Sequence, residues 1–341
     1  MSSRVFIIAE AGVNHNGNET EALALVDRAA SAGADAVKFQ TFRAEDVVAR
    51  GTPTASYQAE NTGEADQFRL LKELELSAET YQRIVARCQL KGIEFMSTPF
   101  DIESARFLVR LGMGRIKVPS GEITNFPLIR ALCGFGKPLI VSTGMSSLAE
   151  VDACVNLVQR HSSGGRDKEP LTLLHCTSNY PTAPDDANLL AMRTMADEFG
   201  LPVGYSDHTL GIEISVAAVA LGAVVIEKHF TLNKNSQGPD HRASLDANEL
   251  ANLVQAIRNV SAGLGDGVKE PRGSELEIRK LARRSVAARV DLRAGDTLEM
   301  NSLMLLRPGV GIHPADLESL VGVRVRRPVS AGVLLRWEDL E

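Results

Sequence analysis

Short apolar runs alternate with amphipathic stretches over the first three quarters of the chain. Apolar residues at helical spacing, such as Leu23, Val26 and Ala30, follow runs rich in Val and Ile, which predict strands. The predicted strands are Val5–Glu10, Ala36–Gln40, Ile93–Ser97, Arg115–Val118, Leu139–Ser142, Leu171–His175, Val203–Tyr205 and Val224–Lys228. The predicted helices lie near 19–32, 77–91, 101–111, 124–133, 147–160, 188–199, 211–221 and 246–263.

The order of these elements indicates the fold class. Strands that alternate with helices form a parallel sheet. Eight such units in roughly 260 residues match a (β/α)8 TIM barrel in number and size. A doubly wound open sheet is the alternative, but no G-x-G-x-x-G sequence opens a helix. We therefore expect an α/β protein built on a TIM barrel.

One connection is much longer than the others. Roughly 35 residues separate Gln40 from the helix near Ser77, and they include the polar segment Tyr57–Glu64. Long loops in compact domains often act as lids over a site, although such a loop can also be a structural insertion. The sequence favours a lid and leaves the insertion open.

The alternation of strands and helices ends near residue 264. Segments rich in Gly and Pro predict a linker over 264–284, which includes a basic helical segment around 275–284. Short runs rich in Val and Leu follow and predict a small β-rich domain over 285–341. The barrel domain would then span 1–263. A domain as small as the tail is expected to dock on another surface.

Composition narrows the class of protein and its partners. The 341 residues are 44% hydrophobic and 23% charged, which is ordinary for a folded protein with a sizeable core. The net charge of −6 offers no basic field to nucleic acid or to an anionic membrane. No apolar stretch approaches the roughly 20 residues that span a bilayer. Four widely spaced cysteines and an N-terminus without a signal peptide predict a cytoplasmic location.

Polar residues follow the predicted strands at their carboxyl ends, where TIM barrels carry their sites. Lys38 and Lys117 lie there within otherwise apolar strands, and a lysine is rarely fully buried without a partner. Two ammonium groups among Ser and Thr hydroxyls suit an anion, phosphate above all. The alternative is that both lysines are paired structural ions. No P-loop is present, so a nucleoside triphosphate is not indicated.

Histidines are concentrated at the predicted strand ends, where His15, His175, His208, His229 and His241 all lie. His208 and His229 follow neighbouring strands, which lie about 5 Å apart in a sheet, so both imidazoles could reach one divalent cation. Two histidine ligands leave positions open for water and a substrate oxygen, which suits polarisation of a carbonyl. A histidine satisfied in the core or at the surface is the alternative.

Carboxylates also lie near the predicted strand ends. Glu10 ends the first strand, Glu122 follows the fourth, and Asp240 lies in the loop before the last helix. Each could orient a sugar hydroxyl, hold a cation or transfer a proton. Glu227 is expected instead to pair with Lys228 or to face the core.

A series of short motifs, in order along the chain, resembles the sialic acid synthase family. Members of this family condense phosphoenolpyruvate with an N-acyl amino sugar. The motifs are Ile8–Gly17, Val37–Phe42, Ser97–Phe100, Lys117–Glu122, Ser142–Met145, His175–Thr177, Tyr180–Pro181, Ser206–Thr209, Glu227–Phe230 and Gly238–His241. In the tail, Arg283–Ser285 and Arg307–Gly309 are similar to the family's C-terminal SAF (antifreeze-like) domain. The resemblance covers essentially the whole chain.

The resemblance implies a TIM barrel followed by an SAF domain that caps the barrel of the partner in a domain-swapped homodimer. The implied contacts to phosphoenolpyruvate are Lys38, Thr98, Lys117, Ser120, Ser142, Ser206 and Ser178 or Asn179. The implied contacts to the sugar are Gln40, Glu122, Tyr180, Asp240 and Arg307 of the partner subunit. A divalent metal on His208 and His229, manganese in most members and otherwise Mg²⁺ or Co²⁺, would polarise the aldehyde. Glu10 is a further active-site carboxylate.

The implied reaction joins the enol carbon of phosphoenolpyruvate to the aldehyde of an open-chain amino sugar, adds water at C2 and releases phosphate. The two lysines would stabilise the phosphate and the carboxylate, and Glu122 is the candidate for proton transfer. The acceptor is N-acetylmannosamine or a diacetamido-trideoxyhexose. A metal-dependent sugar aldolase or epimerase, which would release no phosphate, and a non-catalytic binding protein built on the SAF domain are the alternatives.

Overall fold

A computed structural model describes residues 4–161 and 171–341 of the chain. The chain divides into two compact units, Met1–Asp266 and Gly267–Glu341. None of the helices in these described residues is long and apolar enough to cross a membrane.

Eight parallel strands form the centre of the first unit. They are β1 (Phe6–Gly12), β2 (Ala36–Thr41), β3 (Glu94–Pro99), β4 (Ile116–Val118), β5 (Leu139–Ser142), β6 (Leu171–His175), β7 (Val203–Asp207) and β8 (Val225–His229). Hydrogen bonds join them in the order β3-β2-β1-β8-β7-β6-β5-β4, which makes a nearly closed barrel. The predicted α/β class and TIM barrel are confirmed.

Helices connect the strands. They are α1 (Glu19–Ser31), α2 (Ala44–Val47), α3 (Ser56–Thr62), α4 (Gln67–Leu74), α5 (Ala78–Lys91), α6 (Ile102–Arg110), α7 (Phe126–Cys133), α8 (Leu148–His161), α9 (Ala191–Phe199), α10 (Glu213–Ala220) and α11 (Ala247–Gly263). Polar N-cap side chains begin several of them by accepting hydrogen bonds from backbone N–H groups of the first turn. These caps are Asn18, Ser77, Asp101, Asn125 and Asp246.

Alternate residues of each strand face opposite sides of the barrel wall. In β8, Ile226 packs in the main core between strands and helices, whereas Val225 belongs to a smaller cluster inside the barrel. The alternation therefore directs Glu227 and His229 into the barrel and Lys228 toward the helices. The functional side chains of β1, β2 and β4 point inward for the same reason.

The long connection between β2 and α5 is not a plain loop. It contains α2, α3 and α4, of which α4 presents Leu70 and Leu74 to a small cluster with Val13 and Phe42. The helix α3 has no buried residue. The connection is thus anchored to the barrel through α4, whereas most residues of α3 are half-buried.

The second unit has its own core and a small antiparallel sheet. It begins with α12 (Leu276–Ala282), and β9 (Ser285–Ala288) pairs with β10 (Leu303–Leu306). Buried residues from the strands and the turns between them form the core, among them Val286, Leu298, Ile312 and Leu335. The predicted β-rich tail is confirmed in this unit. The predicted boundaries at residues 263 and 284 stay predictions.

Candidate active site

A cavity of about 440 Å³ opens at the carboxyl ends of the barrel strands. Many of the residues that the sequence predicts for the site line it together. They are Glu10, Lys38, Gln40, Thr98, Lys117, Ser120, Ser142, Ser178, Tyr180, Ser206, His208 and His229. Ser178 rather than Asn179 lines the cavity, because Asn179 is exposed and its backbone carbonyl accepts a hydrogen bond from Thr182.

Lys38 is buried in the barrel and surrounded by oxygen atoms. Its Nζ donates to Thr98 Oγ1 at 2.9 Å, lies 2.7 Å from Glu10 Oε2 and is 3.7 Å from Glu227 Oε2. Glu10 in turn accepts a hydrogen bond from Gln40 Nε2. Side chains of β1, β3 and β8 thus meet at the ammonium group of Lys38 on β2.

Lys117 is the second buried cation, and Glu227 lies between it and Lys38. Its Nζ donates to Ser142 Oγ at 2.7 Å and to the carbonyl of Val118, and lies 3.7 Å from Glu227 Oε1. The same Glu227 oxygen accepts from Ser206 Oγ. Glu227 does not pair with Lys228, because the alternation of β8 places the two side chains on opposite faces. Both lysines are thus paired with carboxylates, as the structural alternative expects, and the anion site stays a prediction.

The two carboxylates beside the lysines differ in how easily they ionise. Burial raises the pKa of Glu10 to about 7, although Lys38 opposes the shift and Glu227 adds to it. Burial also opposes ionisation of Glu227, but Lys117 and Lys38 together outweigh it and lower the pKa. Two like charges beside shared cations separate in this way. Near neutral pH, the carboxylate of Glu227 is therefore ionised, whereas that of Glu10 is partly protonated.

Small polar groups surround a space beside Gly144. The backbone N–H of Gly144 donates to Ser120 Oγ at 3.0 Å, and the Cys176 thiol lies 3.1 Å from the same hydroxyl. A Cβ at position 144 would lie 2.4 Å from Ser178 Oγ and 2.8 Å from Ser120 Oγ. Burial raises the pKa of Cys176, so the thiol stays uncharged. Only glycine leaves this cluster of donors open.

His208 and His229 lie side by side, with ring centroids 5.5 Å apart. His208 donates from Nδ1 to the carbonyl of Thr177 at 2.7 Å, which leaves Nε2 as an acceptor. His229 Nδ1 is buried without a hydrogen-bond partner and lies 3.8 Å from Asp240 Oδ2. Burial lowers the pKa of both imidazoles, which keeps them in the neutral form that binds metals.

These features fit a divalent cation held by the two imidazoles. No group of three or more His, Cys, Asp and Glu side chains among the described residues forms a candidate metal cluster. A cation here would therefore take most of its ligands from water or substrate, as an open catalytic site requires.

Aromatic rings cover one side of the imidazoles. The ring centroid of Tyr180 lies 4.1 Å from that of His208 and 5.6 Å from that of His229. Tyr57 of α3 stacks on Tyr180 at 5.5 Å between centroids. Asp240 is buried next to this group, and burial raises its pKa to about 6.

Predicted residues outside the cavity lining have other surroundings. Glu122 ends a short 3-10 helix that follows β4, beside the cavity-lining Gly121, and accepts from Asn125 Nδ2 at 2.7 Å. Asp240 reaches the site through its approach to His229 rather than as a lining residue. Arg307 directly follows β10 and belongs to the second unit rather than to the barrel.

Several lining residues were not predicted as part of the site. The sequence could have predicted Glu227 and Cys176, because both lie among the polar residues at the strand ends. Glu227 is two residues before His229, and Cys176 is two residues before Ser178. Four of the other additions, Phe100, Pro119, Gly121 and Met145, lie within the quoted motifs, and Tyr57 and Gln58 lie in the segment expected to form a lid. Ala55 and Gln67 carry no such signal. The full set of these other additions is Ala55, Tyr57, Gln58, Gln67, Phe100, Pro119, Gly121 and Met145.

A buried network lies behind the two histidines, on the outer face of the barrel wall. Lys228 Nζ lies 2.8 Å from Asp207 Oδ2 and donates to the carbonyl of Thr209 at 2.5 Å. Asp207 also accepts from the hydroxyls of Ser215 and Thr209. Since Asp207 and Lys228 directly precede His208 and His229, this network fixes the ends of β7 and β8 relative to each other.

A second cavity, of about 500 Å³, lies at the amino ends of the strands. Its lining is largely apolar, and its charged pair, Glu94 and Arg115, is joined by two hydrogen bonds. It carries none of the groups needed for the chemistry considered above, so the candidate site is the cavity at the carboxyl ends.

Comparison with known proteins relates this geometry to known enzymes. The NeuB family model matches residues 25–269, and the SAF domain model matches residues 283–341. An N,N'-diacetyllegionaminic acid synthase of Legionella pneumophila is 50% identical over 100% of this chain and 96% of its own. Another, of Campylobacter jejuni, is 42% identical over 94% of this chain and 95% of its own.

A solved structure gives the same relation. The N-acetylneuraminic acid (sialic acid) synthetase of Leptospira borgpetersenii, crystallised with citrate, has a TM-score of 0.70 and 37% identity, over 81% of this chain and 90% of its own. The resemblance carried by the sequence motifs is thereby confirmed.

Proposed function

The chain belongs to the NeuB family, and on that premise we propose that it condenses phosphoenolpyruvate with an open-chain N-acyl amino sugar and water. The products are a nine-carbon 2-keto sugar acid and phosphate. The observation that carries the proposal is the cavity in which two buried lysines, a set of hydroxyls and two neutral imidazoles meet. Both full-length relatives named above are synthases of one such sugar acid.

The acceptor that we propose is a diacetamido-trideoxyhexose. The product named for both relatives, N,N'-diacetyllegionaminic acid, carries two N-acetyl groups. An acceptor that already holds both groups supplies six carbons, and phosphoenolpyruvate supplies the remaining three. N-acetylmannosamine, which holds one N-acetyl group, is the comparison substrate.

The two lysines hold the phosphate and the carboxylate of phosphoenolpyruvate. Lys117 and Lys38 each donate to a hydroxyl, Ser142 and Thr98, which fixes the direction of the ammonium groups before substrate arrives. The N–H and hydroxyl groups around Gly144 supply further donors to phosphate oxygens. Preorganised donors of this kind stabilise the charge that moves toward phosphate as the C–O bond breaks.

The enol carbon of phosphoenolpyruvate attacks the aldehyde carbon, and the new C–C bond leaves a cationic C2. A divalent cation on His208 and His229 would supply Lewis-acid polarisation of the aldehyde. Water adds to C2 and gives up two protons, of which one goes to the alkoxide at the former aldehyde. The other goes to the phosphate, which leaves with the former enol oxygen as its bond to C2 breaks and C2 becomes a ketone. Tyr180 and Tyr57 cover the imidazoles and restrict the access of bulk water.

Glu122 and Glu10 are the two candidates for that proton transfer. Glu10 lines the cavity, pairs with His229 in the register of β1 and β8, and holds a proton up to about pH 7. Glu122 lies beside the lining and is held by Asn125. Turnover of Glu10→Gln and Glu122→Gln separates the two, since the variant that lacks the donor loses kcat while KM for phosphoenolpyruvate changes little.

The experiment that tests the proposed function measures phosphate release. Purified protein receives phosphoenolpyruvate, manganese and one of the two acceptors. Release that depends on acceptor, stops with EDTA and returns with added metal supports the proposal. An aldolase or epimerase would consume the sugar without release of phosphate, and a binding protein would consume neither. Lys117→Met should abolish release, whereas Lys72→Met, at a surface ion pair, should retain it.

We propose manganese as the ion and a domain-swapped homodimer as the assembly. Two imidazoles with open positions suit manganese, magnesium or cobalt, and reactivation with each ion after EDTA distinguishes them.

For the dimer, α12 exposes the apolar side chains of Leu276, Ile278 and Leu281, a surface that a partner would cover. Arg307→Ala tests the partner contact, because mixing it with a Lys117→Met protein would restore one competent site per mixed dimer.

A further inference from the structure

The helix α3 is held at the rim of the cavity by hydrogen bonds at its C-terminal end rather than by a buried face. None of its seven residues is buried. Asn61 Nδ2 donates to the carbonyl of Pro239 at 2.9 Å, and Gln237 Nε2 donates to the carbonyl of Thr62 at 2.6 Å. These two bonds join α3 to the loop that carries Asp240. The Thr54 N–H donates to the carbonyl of Ala65, which closes the segment that contains α3. The position of the helix therefore depends on these bonds and on the half-buried side chains that it presents to the cavity.

The main contact from α3 into the cavity is Tyr57. It stacks on Tyr180 with an interplanar angle of 23°, and Tyr180 lies against both imidazoles. Tyr180 therefore stands between Tyr57 and the imidazoles. Both tyrosines are partly exposed and line the cavity, so the stack presents a continuous aromatic surface that leads away from the reacting end.

We propose that Tyr57 is a specificity-determining residue that packs against the far end of the acceptor and selects for an acetamido group and a methyl group over hydroxyls. This inference rests on the proposed function. An acceptor whose aldehyde lies at the imidazoles extends its remaining carbons along Tyr180 toward Tyr57. The geometry assigns to the Tyr57–Tyr180 stack the role of a wall against which that end of the sugar packs.

The chemistry of the two acceptors differs at the positions that meet this wall. N-acetylmannosamine carries hydroxyls at C4 and C6, whereas the diacetamido-trideoxyhexose carries an acetamido group at C4 and a methyl group at C6. An aromatic face gains contact with methyl and acetamido groups. The same face removes water from a hydroxyl without replacing its hydrogen bonds. Loss of the ring should therefore cost the trideoxy acceptor more.

The test compares kcat/KM for the two acceptors in wild type, Tyr57→Phe, Tyr57→Leu and Tyr57→Ala. We expect Tyr57→Phe to keep the wild-type ratio of the two values. Tyr57→Ala should lower kcat/KM for the trideoxy acceptor about tenfold and for N-acetylmannosamine about twofold at most, with KM for phosphoenolpyruvate unchanged. The ratio of the two kcat/KM values for Tyr57→Leu should lie between those for Tyr57→Phe and Tyr57→Ala. Glu60→Ala, an exposed change on the same helix, is the matched control for helix stability.

The outcomes separate this inference from the proposed function. Suppose that wild type turns over the acceptors but Tyr57→Ala leaves the ratio of their kcat/KM values unchanged. Tyr57 then does not determine specificity, while the proposed function stands. If wild type releases no phosphate with either acceptor, the proposed function fails and the inference fails with it. A ratio that shifts equally in Glu60→Ala would also overturn the inference, because the cause would be the helix and not the ring.

Discussion

Glu227 is the residue on which the charge of the cavity depends. Without it, Lys38 and Lys117 would lie buried near each other with Glu10 as the main compensation, and Glu10 ionises reluctantly. The sequence predicted both lysines, because charged residues inside apolar strands stand out. It did not predict their link through Glu227, because Lys38 on β2 and Lys117 on β4 lie on strands that are not hydrogen-bonded to β8. Contacts across the inside of a barrel depend on the three-dimensional directions of the side chains, which strand order alone does not give.

The ionisation of Glu10 should affect stability between pH 4.5 and about 7. The folded chain binds the proton of Glu10 more tightly than the unfolded chain, whose pKa is near 4.5. The stability that this group contributes is thus complete below pH 4.5 and is lost as the pH rises to about 7. Glu10→Gln removes the loss, so its free energy of unfolding relative to wild type should rise by on the order of 3 kcal/mol over this range.

Urea unfolding of the metal-free proteins at several pH values from 5 to 8 measures this difference. Parallel curves of stability against pH for Glu10→Gln and wild type would contradict the prediction. Glu45→Gln is a control, since Glu45 is a surface carboxylate paired with Lys72.

Gly144 should be intolerant of a side chain. A Cβ there would overlap Ser178 Oγ and Ser120 Oγ, so Gly144→Ala has to displace the hydroxyls that we assign to phosphate. We expect KM for phosphoenolpyruvate to rise about tenfold or more, with a smaller effect on KM for the acceptor. Steady-state kinetics measures both values. Gly114→Ala, whose added Cβ would have only one neighbour at 3.4 Å, should keep both near wild type.

At the scale of elements, burial decides what the sequence could predict. The strands of the barrel are buried on both faces, so they read as apolar runs, and all eight were predicted close to their observed positions. Helix α3 carries polar residues and buries none, so it has no periodic pattern, and its contribution of Tyr57 to the site was missed. The lid expected over Tyr57–Glu64 stays a prediction.

The ends of β7 and β8 depend on the Lys228–Asp207 pair. Lys228→Met would leave the carboxylate of Asp207 buried without its cation, and such changes cost about 3–5 kcal/mol. We expect a loss of stability of that order in urea unfolding. Manganese affinity, measured by calorimetry, should also fall about tenfold, because His208 and His229 directly follow the pair.

A double variant, Lys228→Met with Asp207→Asn, is the control for this prediction. It keeps one of the two acceptor oxygens that Thr209 and Ser215 use and removes the unpaired charge, so it should be more stable than Lys228→Met alone. If the single variant is as stable as wild type and binds manganese equally well, the pair does not position the histidines.

At the scale of the whole molecule, the two units differ in net charge, and an exposed segment connects them. Most of the net charge of −6 lies in the barrel, since the tail has nearly equal numbers of acidic and basic residues. Every residue from 262 to 284 is exposed. Composition could predict this separation, because Gly and Pro mark the connection. The contribution of Arg307 to a site depends on a second chain, and the sequence alone gives only the resemblance for it.

The exposed connection should be the first site of proteolysis. Brief trypsin treatment of the native protein is expected to cut after Lys269 or Arg272, ahead of α12, and to leave two stable fragments. Mass spectrometry of the fragments identifies the cut. A first cut within the barrel would contradict the prediction, and Lys269→Gln with Arg272→Gln should slow the cleavage.

The place of Glu227 between the two lysines has a consequence for turnover. The cavity contains an internal counter-ion, which helps to hold the orientation of the lysines. A phosphate formed in the cavity has to compete with that carboxylate for both ammonium groups, and the carboxylate is tethered while the phosphate is free to diffuse away. On this basis we expect Glu227 to favour product release, and cellular phosphate to be a weaker inhibitor than two buried lysines would suggest.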